Sequence, residues 1–195
     1  MKRIKTVDLE KYAHTTADPW RWAPAAGTDC QDITDMALID FGRESDTIFE
    51  NDPIEYQRNI MRAIVNQFYN PKLELVSVAR NPTTGSLLAY TWAVRGEYSP
   101  WSKEEQVAVR IAHVDQQLSD RNRIFLCAQM IRMWETWAQA CDIKIICSST
   151  MRRDQTGFLR LHEEAGYDMR GSVCYKRLTQ ASFAIDEPRI ILTGI

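Results

Sequence analysis

The stretch from Gln106 to Cys147 constrains the fold more than any other part of the chain. Between Asp120 and Ala140, Ile124, Cys127, Ala128, Ile131, Trp134 and Ala138 recur at helical spacing and mark a buried face. Met130, Met133 and Trp137 widen that face, so the predicted helix is covered on more than one side. Asp120 is its expected cap. Ahead of it, Gln106–Val114 alternates through Val107, Val109, Ile111 and His113 and reads as a strand. Behind it, Ile143-Lys144-Ile145-Ile146-Cys147 is a short β-branched run suited to a buried parallel strand. Strand, long helix and strand together make a crossover unit.

The flanks complete the pattern. Leu73–Ala79 and Leu87–Val94 alternate around the turn Asn81–Gly85 and predict a hairpin. Gly96–Glu105 reads as a loop. Upstream, Asp29–Phe41 predicts a short helix ended by Gly42. Asn51-Asp52-Pro53 opens a second helix that stops at Asn70-Pro71. Downstream, Asp154–Ala165 predicts a helix closed by Gly166, and Tyr167–Leu178 a last strand. Residues 1–30 read as an irregular arm, 31–178 as the domain and 179–195 as a tail. The predicted class is α+β, with a mixed, mostly antiparallel central sheet, helices on both faces and one β-α-β crossover.

Composition narrows the function classes. A net charge of -2 gives no electrostatic case for nucleic acid. Arg121, Arg123 and Arg132, and again Arg152 and Arg153, group locally, as on a solvated face. The five cysteines show no CxxC spacing and the three histidines no metal-like cluster, so no metal is expected. Reduced thiols in apolar runs fit a cytoplasmic setting. No signal peptide or apolar stretch of membrane-spanning length is apparent.

The element order and the ending His162-Glu163-Glu164-Ala165-Gly166-Tyr167 resemble the GNAT superfamily of acetyl-coenzyme A-dependent acyltransferases. The likeness covers roughly residues 73–178 and rests on element order more than on one motif. It implies that the strand 107–114 splays from the strand 143–147 to admit the pantetheine arm. It also implies that the pyrophosphate meets the start of the long helix, at Ser119, Arg121, Asn122 and Arg123. Family members carry glycines there, whereas Gln116–Leu126 has none, and Asp120 adds a carboxylate. Arginines compensate in part.

The catalytic acid of the family is commonly a tyrosine at the position His162 occupies here. Asp115 and Glu97 are the base candidates, and His113 could orient a water. Each has a plainer reading: Asp115 as a strand-end turn residue, His113 and His162 as satisfied histidines.

On these grounds the expected function is a catalytically degenerate GNAT-fold protein with a structural or assembly role and no cofactor. The glycine-free loop and the Phe158–Gly166 ending also resemble GNAT-like virion proteins of tailed phages, which implies a place in a virion or host cytoplasm. Partners would be other protein subunits, docked through Trp20 and Trp22 on the arm and through the apolar tail 185–195. The alternative is an active N-acetyltransferase using acetyl-coenzyme A on a small amine or protein amine. The loop 96–105, with Glu104 and Glu105, would then face the cationic acceptor.

Overall fold

A computed structural model of the protein describes residues 19–44, 48–152 and 155–171. Its elements are β1 (Arg21–Pro24), α1 (Cys30–Glu44), α2 (Pro53–Tyr69), β2 (Glu74–Arg80), β3 (Leu87–Tyr98), β4 (Glu105–Val114), α3 (Asp120–Ala140), β5 (Ile145–Ser148) and α4 (Thr156–Glu164). The strands form a five-stranded sheet in the order β1-β2-β3-β4-β5. The first three pairings are antiparallel, and β4 with β5 is parallel. The predicted α+β class and the mostly antiparallel mixed sheet are what the fold shows.

Alternation along the strands sends one set of side chains to each face. On one side Ala89, Ala93, Val107, Val109 and Val114 meet Leu126, Met130, Ile131 and Trp134 of α3. On the other, Val76, Val78 and Tyr90 meet Ile33 and Ala37 of α1 and Ile60, Ala63 and Ile64 of α2. Each fully buried large side chain in these layers contributes about 1.5–3 kcal/mol. The rise of α2 begins at Asp52, whose carboxylate accepts the Glu55 N–H at 2.9 Å, with Pro53 in the first turn.

Several sequence readings shift. The arm expected to stay irregular through residue 30 instead supplies β1 as the outer strand, paired from Arg21↔Arg80 to Pro24↔Ser77. Pro24 is tolerated because it sits at an edge. Trp20 is 2% exposed and packs in the α3-side core, so it is no docking anchor for another subunit. Its indole and that of Trp22 both donate to Gln129 Oε1, at 2.8 and 2.7 Å.

Further along, β3 runs past Val94 to Tyr98, because Arg95 holds Glu105 of β4 through two 2.6 Å bonds across a bulge. Gly96, at φ 87, supplies the backbone geometry there. Helix α1 continues through Gly42 to Glu44. The cap of α3 is Ser119, not Asp120. The last predicted strand beyond residue 171, the tail 179–195 and residues 1–18 of the arm lie outside the described residues. Among the described residues, no helix is long and apolar enough to cross a membrane.

Candidate active site

The parallel ladder between β4 and β5 is short. It runs from Gln106↔Ile145 to Val109↔Ser148 and stops. At that point β4 carries an extra residue, since Ala93 pairs with Val109 while Trp92 pairs with Ile111. Arg110 is the bulge, and a bulge bends its strand and re-aims the residues beyond it. Residues 110–114 then continue with no β5 partner among the described residues. The two strands therefore part at Val109 and Ser148. The widening gap presents strand-edge amide and carbonyl groups.

Directly beyond Val114, a tight turn leads into α3. The Asp115 carboxylate accepts the Gln117 N–H at 2.9 Å and its carbonyl accepts the Leu118 N–H at 3.2 Å. Asp115 thus serves as a turn residue. Ser119 Oγ accepts the Asn122 N–H at 3.4 Å. Arg123 donates to Gln116 Oε1 at 2.9 Å and is also paired with the Asp120 carboxylate. Arg121 is exposed. A helix start offers first-turn amides and a positive dipole end, but here Ser119, Asn122 and Arg123 are bonded within the loop itself.

His162 on α4 comes to the same place from the other side. It is 3% exposed. Its ring lies against Phe158 at 4.0 Å, Tyr167 at 5.0 Å and Trp134 at 6.3 Å between centroids. Nδ1 lies 2.9 Å from the Phe158 carbonyl, which can only accept, so the proton sits on Nδ1. Nε2 is then an acceptor, and Ser148 Oγ lies 3.1 Å away as its donor. Burial holds the imidazole below its ordinary value, with the Phe158 carbonyl pulling weakly the other way. A neutral ring whose one proton is given to a backbone carbonyl has none left to give a leaving thiolate. In this arrangement His162 turns an acceptor nitrogen to the Ser148 hydroxyl.

The opposite face of the sheet carries a second polar group. His113 Nδ1 lies 2.7 Å from the Tyr90 hydroxyl, which lies 2.7 Å from the Tyr56 hydroxyl. Asp40 Oδ2 of α1 is 3.6 Å from the same Nδ1, and Arg152, just past β5, is 3.8 Å from the other Asp40 oxygen. Asp40, Tyr90 and His113 are buried, whereas Tyr56 reaches the surface. His113 stands in the half of β4 that pairs with β3 but not with β5, on the α1/α2 side of the sheet. Glu97 is instead paired with Arg110, the bulge residue.

Cys127 is no nucleophile, because burial pushes its thiol up to about 11. Ser148, Asp40, Tyr56 and Tyr90 were missed by sequence reading. The only hint of Ser148 was its place at the end of the parallel strand.

No protein-family model and no curated protein sequence matches the chain. Solved structures do. An aminoglycoside 6'-N-acetyltransferase from Acinetobacter baumannii superposes with a TM-score of 0.59 at 12% identity, covering 82% of this chain and 99% of that one. A predicted acetyltransferase from Clostridium acetobutylicum, solved with acetyl-CoA, gives 0.58 at 13%, covering 81% and 96%. A ribosomal-protein-alanine N-acetyltransferase from Brucella melitensis gives 0.57 at 12%, covering 83% and 100%. With a parted β4/β5 pair, a long helix starting at its mouth and these likenesses, the chain has the GNAT acetyltransferase fold.

Proposed function

We propose that the chain is an N-acyltransferase that takes the thioester arm of an acyl-coenzyme A between β4 and β5 and passes the acyl group to an amine. The observation that carries this reading is the end of the β4/β5 ladder at Val109 and Ser148, with β4 running on to Val114 paired with β3 but with no β5 partner among the described residues. An arm containing amides suits that edge, as a further strand would. His113 faces the acceptor side and is placed to take the amine's proton. Tyr90 and Tyr56 lead from it toward solvent, so the proton has a hydrogen-bonded way out.

The diphosphate end of the donor would rest on the amides at the start of α3, with Arg121 beside it. Asp120 opposes it. The expected affinity is therefore micromolar and comes mainly from the arm. Calorimetry with acetyl-coenzyme A tests the reading, followed by thiol release with a panel of aminoglycosides, polyamines and peptide amino termini. Saturable binding weakened by Arg121→Ala supports it, and absence of any saturable heat refutes it.

The internal bonds of Ser119 and Arg123 favour a second reading, a degenerate GNAT domain serving assembly, as in a phage particle. Its partners would dock through residues 185–195. Light scattering on the full chain tests it: a clean monomer that binds and turns over acetyl-coenzyme A removes this reading.

A further inference from the structure

Three features of the molecule stand outside the roles above. The outer face of α2 exposes Phe68 and Tyr69, but nothing in the structure indicates what covers it. The Tyr167 hydroxyl is buried without a hydrogen-bond partner among the described residues, but nothing in the structure indicates a ligand for it. The pair Ser148 and His162 goes further.

Ser148 is the last residue of β5, locked in the ladder opposite Val109 at the point where the strands part. A donor arm lying in that gap brings its thioester to this position. The Ser148 hydroxyl is partly exposed, and its proton points at His162 Nε2 over 3.1 Å. His162 is in turn oriented by the Phe158 carbonyl at 2.9 Å and wedged among Phe158, Tyr167 and Trp134. Hydroxyl, imidazole base and a third group that fixes the tautomer are the parts of an activated nucleophile.

Resting on the acyl-transfer reading above, we infer that Ser148 is a covalent acyl acceptor, activated by His162, so that the acyl group passes through a serine ester. Ser148 Oγ attacks the thioester carbonyl. Its proton moves to His162 Nε2. The carbon–sulfur bond breaks, and the departing thiolate takes that proton from Nε2, leaving a free thiol, an ester on Ser148 and a neutral imidazole. The amine then attacks the ester. His113 has taken the proton the amine carries as an ammonium; the next one passes from the attacking amine to His162 Nε2 and on to Ser148 Oγ as the carbon–oxygen bond breaks, leaving the amide, the free serine and a neutral His162. No oxidant, reductant or metal enters. Direct attack of the amine on the thioester needs no serine, so the two routes differ in whether an adduct forms.

The test is acid-quench intact mass spectrometry of the full chain mixed with acetyl-coenzyme A and no amine. The expected result is a gain of one acetyl group, mapped to Ser148 by peptide analysis and removed by hydroxylamine, as an ester is and an amide is not. Ser148→Ala abolishes it, and Ser148→Cys restores a hydroxylamine-sensitive thioester. His162→Gln slows its formation by about 100-fold, the scale of a lost general base. Circular dichroism confirms that each variant is folded.

Calorimetry on the same samples separates the failures. Acetyl-coenzyme A that binds but leaves no adduct overturns the serine ester while the acyl-transfer reading stands. An adduct that survives Ser148→Ala or hydroxylamine does the same. A chain that does not bind acetyl-coenzyme A overturns both.

Discussion

Trp20 and Gln129 lie 109 positions apart and are joined by a buried 2.8 Å hydrogen bond from indole Nε1 to amide Oε1. Trp22 donates to the same oxygen at 2.7 Å, so one carbonyl on α3 pins the start of the described chain to the far side of the sheet. Gln129→Leu keeps the volume and strands both indoles. The expected loss is about 2–4 kcal/mol, read from urea unfolding, because each orphaned buried donor costs about 1–3 kcal/mol. The same variant should shift tryptophan emission.

Arg80 ties β2 to the start of α1. Its guanidinium meets Asp29 at 2.7 Å and Asp32 at 2.6 Å. The Asp29 carboxylate also accepts the Ala26 N–H at 2.7 Å. Arg80→Met leaves a largely buried carboxylate unpaired and should cost about 1–3 kcal/mol, allowing for partial exposure of the pair. Combining it with Asp29→Asn should recover part of that loss, measured as a double-mutant cycle.

Asp120 places a carboxylate in the first turn of α3, where it holds Arg123. Asp120→Asn removes the repulsion and releases the guanidinium for a phosphate. Acetyl-coenzyme A should then bind about 3–10-fold tighter at low salt, with the gain shrinking as salt rises. Unchanged affinity would place the diphosphate elsewhere.

His162 gives stability a pH dependence. Burial lowers its affinity for protons below that of an ordinary histidine near 6.5. The unfolded chain therefore binds more protons in the window just beneath that value, and stability rises with pH there. The contribution is complete above pH 6.5 and is lost as the pH falls from there toward the lower folded value. Tm followed from about neutral to about pH 5 should drop, with a limiting slope of about 1.4 kcal/mol per pH unit. His162→Phe should flatten that window.

Tyr90→Phe removes the hydroxyl between His113 and Tyr56 with little change in shape. If the network carries the amine's proton outward, kcat should fall about 10–100-fold with KM nearly unchanged. A purely structural hydroxyl would lower Tm and leave kcat alone.

Much of this architecture was readable beforehand, and the exceptions share a cause. Helix α3 and the helix closed by Gly166 announce themselves through period and caps, which are local. The strand run 143–147 was also legible, although the ladder starts only at Ile145, with Ile143 buried in the α3-side core. Trp20 and Trp22 were misplaced because Pro19, Pro24 and Gly27 dominate a local reading, while the partner that orders them is on α3. The extension of β3 depends on an Arg95–Glu105 pair across a bulge, which no alternation pattern records. At the site, the sequence pointed to His162 but not to the Phe158 carbonyl that fixes its proton. Ser148 and the Asp40–His113–Tyr90–Tyr56 group are assembled from separate elements and carry no spacing signature.

The edge that β4 turns toward β5 from Arg110 to Val114 also selects its guest. A saturated hydrocarbon lying along it would leave those peptides thirsty, at about 1–3 kcal/mol for each one shut off from water. A guest that brings its own amides meets no such penalty. Discrimination between the two is thus written into main chain and not into side chains. Conservative exchanges along this edge should leave it intact, while a proline, which deletes the donor itself, should erase it.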